Sequence, residues 1–166
     1  MPVKTKKRIN ADEALELFEK ADIKELGYIA DKKRQMAQDD SSPVTFVIDR
    51  NINYTNICSC KCRFCAFYRD KDHKESYVLE YKAIKEKIEE LVGQNGTQIL
   101  LQGGLNRDLP LEYYTDLISN TRKDFPSLTI HAFSPPEIAF IAKNNKLSIK
   151  ELIEIFVSCG LSSIPG

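Results

Sequence analysis

Apolar positions along this chain switch between two spacings, and the switches divide it. Ala14, Leu17, Phe18 and Ala21 recur every three or four residues, the spacing of one helix face. Asn10 stands ahead of that stripe with Glu13 three residues on, a pairing that starts helices because each side chain satisfies the other's backbone N–H. Asp22 and Glu25 repeat the signal, and Leu26, Ile29 and Ala30 carry a second face to about Gln38. Residues 1–42 therefore read as a helical N-terminal segment, expected to pack on whatever follows. Asp39-Asp40-Ser41-Ser42-Pro43 breaks it.

From residue 43 to 166 short β-branched runs alternate with helical faces. Val44–Ile48 (VTFVI) predicts a buried strand leading through Asp49–Asn56. Ile84, Ile88, Leu91 and Val92 form a helix face over 81–92, stopped by Gly93 and Gly96. Thr97–Gln102 is a second strand, ending at Gly103-Gly104. Leu111–Phe125 is a helix carrying Tyr114, Leu117 and Ile118, and Leu128–Phe133 a third strand. Ser134 with Glu137, and Ser148 with Glu151, start two more helices. Cys159-Gly160 ends the last, and Leu161–Ile164 begins a fourth strand. Alternation of this kind predicts an α/β fold with a parallel sheet. A closed (β/α) barrel takes about 250 residues, so three units and the start of a fourth look like its first half. An open doubly wound sheet is the alternative, and it would need a further element.

Composition narrows the setting. The 166 residues carry a formal net charge of zero, which gives no reason to expect a nucleic-acid partner. No run of about 18 apolar residues occurs to span a membrane. Met1–Arg8 is basic without the apolar stretch of an export signal, and Lys4–Arg8 reads as a solvated tail. With five cysteines and no such signal, the expectation is reduced thiols in the cytoplasm.

The chemistry concentrates in Cys58-Ser59-Cys60-Lys61-Cys62-Arg63-Phe64-Cys65, which contains C-x3-C-x2-C. Thiolates this close together suit an iron–sulfur centre. Three ligands would leave one iron of a four-iron cube open. A zinc knot with Cys60 as fourth ligand, or a disulfide loop, are the bland alternatives.

That spacing, with Phe64 before Cys65, resembles the cluster loop of the radical S-adenosylmethionine (SAM) superfamily. DRNINYTNIC (49–58), CRFCAFYR (62–69), GTQILLQGG (96–104) and HAFSPPEI (131–138) resemble one of its families, cyclic dehypoxanthinyl futalosine synthase of the futalosine route to menaquinone. Aminofutalosine synthase and the tyrosine-using enzyme of deazaflavin (F0) synthesis are similar sister families. The resemblance implies the N-terminal half of a radical SAM (β/α) barrel preceded by short helices. It implies a [4Fe-4S] cluster on Cys58, Cys62 and Cys65, with Cys60 and Cys159 as bystanders. SAM would sit on the open iron, with Phe64, Gln102, Gly103 and Gly104 contributing to its site; a plain turn is the other reading of the two glycines. Reductive cleavage of SAM would start removal of a hydrogen from the ribose part of dehypoxanthine futalosine. The resulting carbon radical would close onto the substrate's own ring. An electron donor such as flavodoxin or ferredoxin is implied. Family members continue past Ile164-Pro165-Gly166 into residues of the SAM site. From this chain alone the expectation is cluster binding without turnover, as a truncated form or with a second chain completing the barrel.

Candidate substrate contacts are Asn53, Thr55, Asn56, His131 and Ser134, all near strand ends, where barrel sites lie. Satisfied turn polars and a structurally fixed histidine are the alternatives. Tyr54 reads as core and His73 as part of a charged surface loop. Strand alternation puts His131 and Phe133 on one face, Ala132 and Ser134 on the other. No residue identifies itself as the general base.

Overall fold

Asn10 and Glu13 do close a reciprocal cap. In the computed structural model, Asn10 Oδ1 accepts from Glu13 N and the Glu13 carboxylate accepts from Asn10 N, both at 2.8 Å. Residues 8–38 and 43–165 are described; most of the basic run, the break at 39–42 and Gly166 lie outside the described residues. The chain divides into two compact units, Met1–Thr45 and Phe46–Gly166. In the first, α1 (Ala11–Lys20) follows the Asn10 cap and α2 (Ile23–Ala37) follows Asp22, whose carboxylate accepts from Lys24 N and Glu25 N. Neither helix contains a buried residue.

The second unit is a parallel sheet of β1 (Asp49–Asn53), β2 (Gln98–Gln102) and β3 (Thr129–Ala132), in that order. Helix α3 (Tyr81–Gly93) precedes β2, and α4 (Leu111–Asp124) precedes β3. Helices α5 (Pro135–Asn144) and α6 (Ile149–Cys159) follow. The expected α/β class holds. The fourth strand is present as a parallel bridge between His131 and Ser163, with Ala132 N donating to Ser163 O at 3.0 Å. Arg122 fastens this end: its guanidinium donates to the carbonyls of Pro126, Leu128 and Gly160 and to the Ser162 hydroxyl.

Register separates two faces. Ile99 and Ile130 align, as do Ile52, Leu101 and Ala132, and all are buried against Ile84 and Ile88 of α3, Leu117 and Ile118 of α4, and Phe156 of α6. On the opposite face Asn51, Leu100 and His131 align, and Asn53 faces Gln102; none of these is buried. A greasy face covered by helices and a polar face left open is how a two-residue alternation builds one wall of a site.

One expected strand is displaced. Val44–Ile48 forms no strand, and its side chains stand exposed, Phe46 by 84%. Pairing sets the limit: β2 begins at Gln98, its register puts Asp49 opposite, and the last bond at that end is Thr97 N to Ile48 O, 3.0 Å. Among the described residues the apolar run has no strand beside it, so β propensity alone does not make it one.

Candidate functional site

The cysteine loop leaves the tip of β1 and is tied at its base. Thr55 is buried; its hydroxyl donates to Tyr77 O at 2.7 Å and accepts from Ile57 N. Asn56 holds the same returning segment, donating to Glu75 O and accepting from Tyr77 N, each at 2.8 Å. Both expected substrate contacts thus spend their polar atoms on the loop itself. Arg69 N donates to Asn56 O and Cys58 N to Arg69 O. Ser59 binds Leu105 O through both its N–H and its hydroxyl, at 3.0 Å. Arg69 also pairs with Glu75 and holds that carboxyl below its usual range.

Beyond this base the loop is open. Cys58 and Cys65 are half-buried, Cys60 and Cys62 are exposed, and Phe64 is 99% exposed. Lys61 takes a left-handed conformation, φ +48°, and its ammonium pairs with Asp70. That turn brings Cys60 Sγ to 3.3 Å from Cys62 Sγ, and the shared hydrogen bond pushes the Cys60 thiol up from its ordinary pKa. Among the described residues no three His, Cys, Asp or Glu side chains converge as ligands of a single ion. A four-iron cube asks for something else: each thiolate sits on a different iron, so its ligands stand apart where tetrahedral zinc would draw them together. Three free thiols on a loop anchored at its base and open at its rim fit that donor set. Beside the loop lies a cleft of about 390 Å³ lined by Cys58, Ser59, Lys61, Arg69, Leu105 and Arg107 among others.

Under the loop sits a residue that sequence reasoning took only for a helix cap. Glu137, the third residue of α5, is 3% exposed. Its Oε1 accepts from the Tyr54 hydroxyl at 2.7 Å and from Gly103 N at 2.9 Å. Its Oε2 accepts from Ser134 N and from the Ser134 hydroxyl, at 2.8 and 2.5 Å. One carboxylate thereby joins the ends of all three strands. Burial and the neighbouring Glu137 charge push the Tyr54 phenol well above its ordinary pKa. The signal available beforehand was S-x-x-E directly after a strand, with a tyrosine and a glycine pair ending the other two.

A side chain at either glycine would meet protein at the base of the loop. A Cβ on Gly103 would lie 2.4 Å from the Tyr54 ring; on Gly104 it would lie 2.2 Å from Ile57 O and 2.9 Å from Cys58 Cβ. Gly104 N donates to Thr55 O at 2.9 Å. The turn after β2 is thus pressed against the base of the cysteine loop. Among the described residues nothing donates to the Gly103 carbonyl or binds the Gln102 amide.

Gln102, Asn53 and His131 share the open face, while Ser134 is held by Glu137. His131 Nδ1 lies 2.6 Å from Ser163 Oγ. The expected pairing of His131 with Phe133 on one face fails: Phe133 has φ +59° and is fully buried, because the chain turns left-handed there to enter α5 and alternation stops.

The model of the radical SAM superfamily matches residues 52–165. The chain is 43% identical over 160 residues to a cyclic dehypoxanthine futalosine synthase of Halalkalibacterium halodurans, covering 96% of this chain and 43% of that protein. It is 38% identical to a protein of the same description from Streptomyces coelicolor, over 96% of this chain and 40% of the relative. It is also 39% identical to a 5-amino-6-(D-ribitylamino)uracil–L-tyrosine 4-hydroxyphenyl transferase of Microcystis aeruginosa, over 95% and 43%. The chain spans less than half the length of these relatives. No helix among the described residues is long and apolar enough to cross a membrane.

Proposed function

Because the chain belongs to the radical SAM superfamily, whose members use a [4Fe-4S] cluster and SAM, we propose that Cys58, Cys62 and Cys65 hold the cluster and that the whole protein cyclises dehypoxanthine futalosine. The observation that carries this reading is the 43% identity to a cyclic dehypoxanthine futalosine synthase across 96% of the chain. When bound, the cluster and SAM supply a carbon radical able to remove a hydrogen from an unactivated position.

This chain's residues bind and orient around that chemistry. The Gly103 carbonyl and the Gln102 side-chain amide, both without partners among the described residues, would receive the amino group of SAM, and Phe64, exposed at the rim of the loop, would contribute to the same site. Glu137 fixes the turn that carries Gly103. Asn53 and His131 on the open face meet the substrate, with Nδ1 of His131 engaged by Ser163 and its other nitrogen available to the substrate. Closure of one substrate onto itself is favoured by proximity once a radical exists. A small electron-transfer protein, a flavodoxin or a ferredoxin, supplies the reducing electron in the cytoplasm. The remaining barrel comes from further residues of the same protein or from a second chain.

A second reading is supported by the 39% identity to the ribitylaminouracil–tyrosine transferase. A full-length version, reconstituted anaerobically and given SAM and a reductant, separates the two. Turnover of dehypoxanthine futalosine supports the cyclase; turnover of tyrosine with the ribitylaminouracil, and none of the former, overturns it. On the 166-residue chain, iron and sulfide are expected in cluster proportion, lost in Cys62→Ala and kept in Cys60→Ala. Stoichiometric zinc without sulfide would end the cluster reading.

A further inference from the structure

Cys60 is not needed by the three-ligand loop, yet it is the thiol placed closest to one of the ligands. Cys60 Sγ and Cys62 Sγ stand 3.3 Å apart, both are exposed, and the left-handed turn at Lys61 turns the two side chains toward each other. The other two loop cysteines are half-buried. We propose that Cys60 is a resolving thiol: when the loop carries no cluster, a peroxide oxidant closes a Cys60–Cys62 disulfide that reversibly stores Cys62 and blocks cluster loading. This rests on the reading of Cys62 as a cluster ligand.

The step balances without help from the rest of the protein. Peroxide oxidises one of the two thiols to a sulfenic acid and leaves as water. The other sulfur then attacks it; the S–S bond forms, the S–O bond breaks, and the thiol proton departs with the hydroxyl as a second water. Two thiols lose two electrons and one peroxide gains them. Without a neighbouring thiol, an exposed sulfenic acid proceeds to the sulfinic level, which ordinary thiols do not reverse. A proximal partner thus separates a recoverable loop from a dead one.

The experiment uses the full chain as purified, stripped of metal and treated with one equivalent of hydrogen peroxide. The free-thiol titre should fall by two, and dithiothreitol should restore it. Trypsin cuts after Lys61 and after Arg63, so the Cys62 peptide should be found joined to the one ending at Lys61, and unjoined in Cys60→Ser. Iron and sulfide uptake should drop several-fold after oxidation and recover after reduction. In Cys60→Ser two equivalents of peroxide, one for each oxidation step, should carry Cys62 to the sulfinic acid, with uptake unrecovered after dithiothreitol. A Cys62 link to Cys65, a link persisting in Cys60→Ser, a disulfide between two chains, or full recovery in the variant each overturns the proposal. If the untreated chain takes up no iron, the cluster reading fails on that arm, while the peptide map still decides whether the two thiols pair.

Discussion

The strand tips and the cysteine loop are neighbours in sequence and are held by opposite means. Below, Glu137 is buried and takes four hydrogen bonds from three strand ends. Above, the loop's outer contacts are exposed ion pairs, Lys61 with Asp70 and Lys71 with Asp108. Buried polar groups are costly to leave unpaired, so the lower set has one arrangement. Exposed pairs contribute little and exchange with water, so the upper set can adjust. A fixed floor under an adaptable rim suits a loop proposed to admit an inorganic centre.

This contrast can be broken from below. Glu137→Ala would leave the Tyr54 hydroxyl and two N–H groups unanswered, and urea denaturation should show a loss of about 3–5 kcal/mol. Glu137→Gln keeps one acceptor oxygen for Tyr54 and Gly103 and should lose less. Next comes Gly104→Ala, whose methyl would meet the backbone of Ile57. It should cost about 2–3 kcal/mol and also lower iron uptake, because the loop base must shift. Tyr54→Phe should cost about 1 kcal/mol.

Alkaline pH tests the same floor. Tyr54, with Tyr113, Tyr114 and Glu137 around it, has a folded pKa raised above its ordinary value. Such a group adds stability that is fully present below pH about 10 and is lost as pH rises above it, where only the unfolded chain ionises. Denaturation midpoints should therefore fall above pH about 10, and fall less in Tyr54→Phe. The smallest effect belongs to the rim: Asp70→Asn should change stability by less than about 0.5 kcal/mol. A larger loss there would erase the distinction.

Legibility followed the same division. Ser134 with Glu137 and Ser148 with Glu151 were readable as caps because their partners lie three residues apart, and β2 and β3 emerge within a residue of the predicted runs. Val44–Ile48 misled because strand formation depends on a partner that sequence alone does not supply. Glu137 was seen only for its local cap, since its bonds to Tyr54 and Gly103 cross 83 and 34 residues. The left-handed Phe133 broke an alternation that nothing in its side chain forbids. The cysteine loop stood out as a candidate ligand set because its thiols lie within eight consecutive residues; the long-range bond of Thr55 to Tyr77 left no such mark.

The order of the sheet is the order of synthesis. Each strand lies beside the one made just before it, so every unit leaving the ribosome finds its template already in place. The other edge of β1 is different. Among the described residues nothing pairs with it, and the cleft along it is walled by Arg50, Asn53, Phe67 and Tyr77. In a closing barrel the oldest strand must wait for the newest, and until then its backbone offers hydrogen bonds to any passing chain. Arg50, bound to Glu90 and to Lys87 O, sets a charge on that waiting edge, the kind of guard that keeps a nascent sheet from pairing with a stranger.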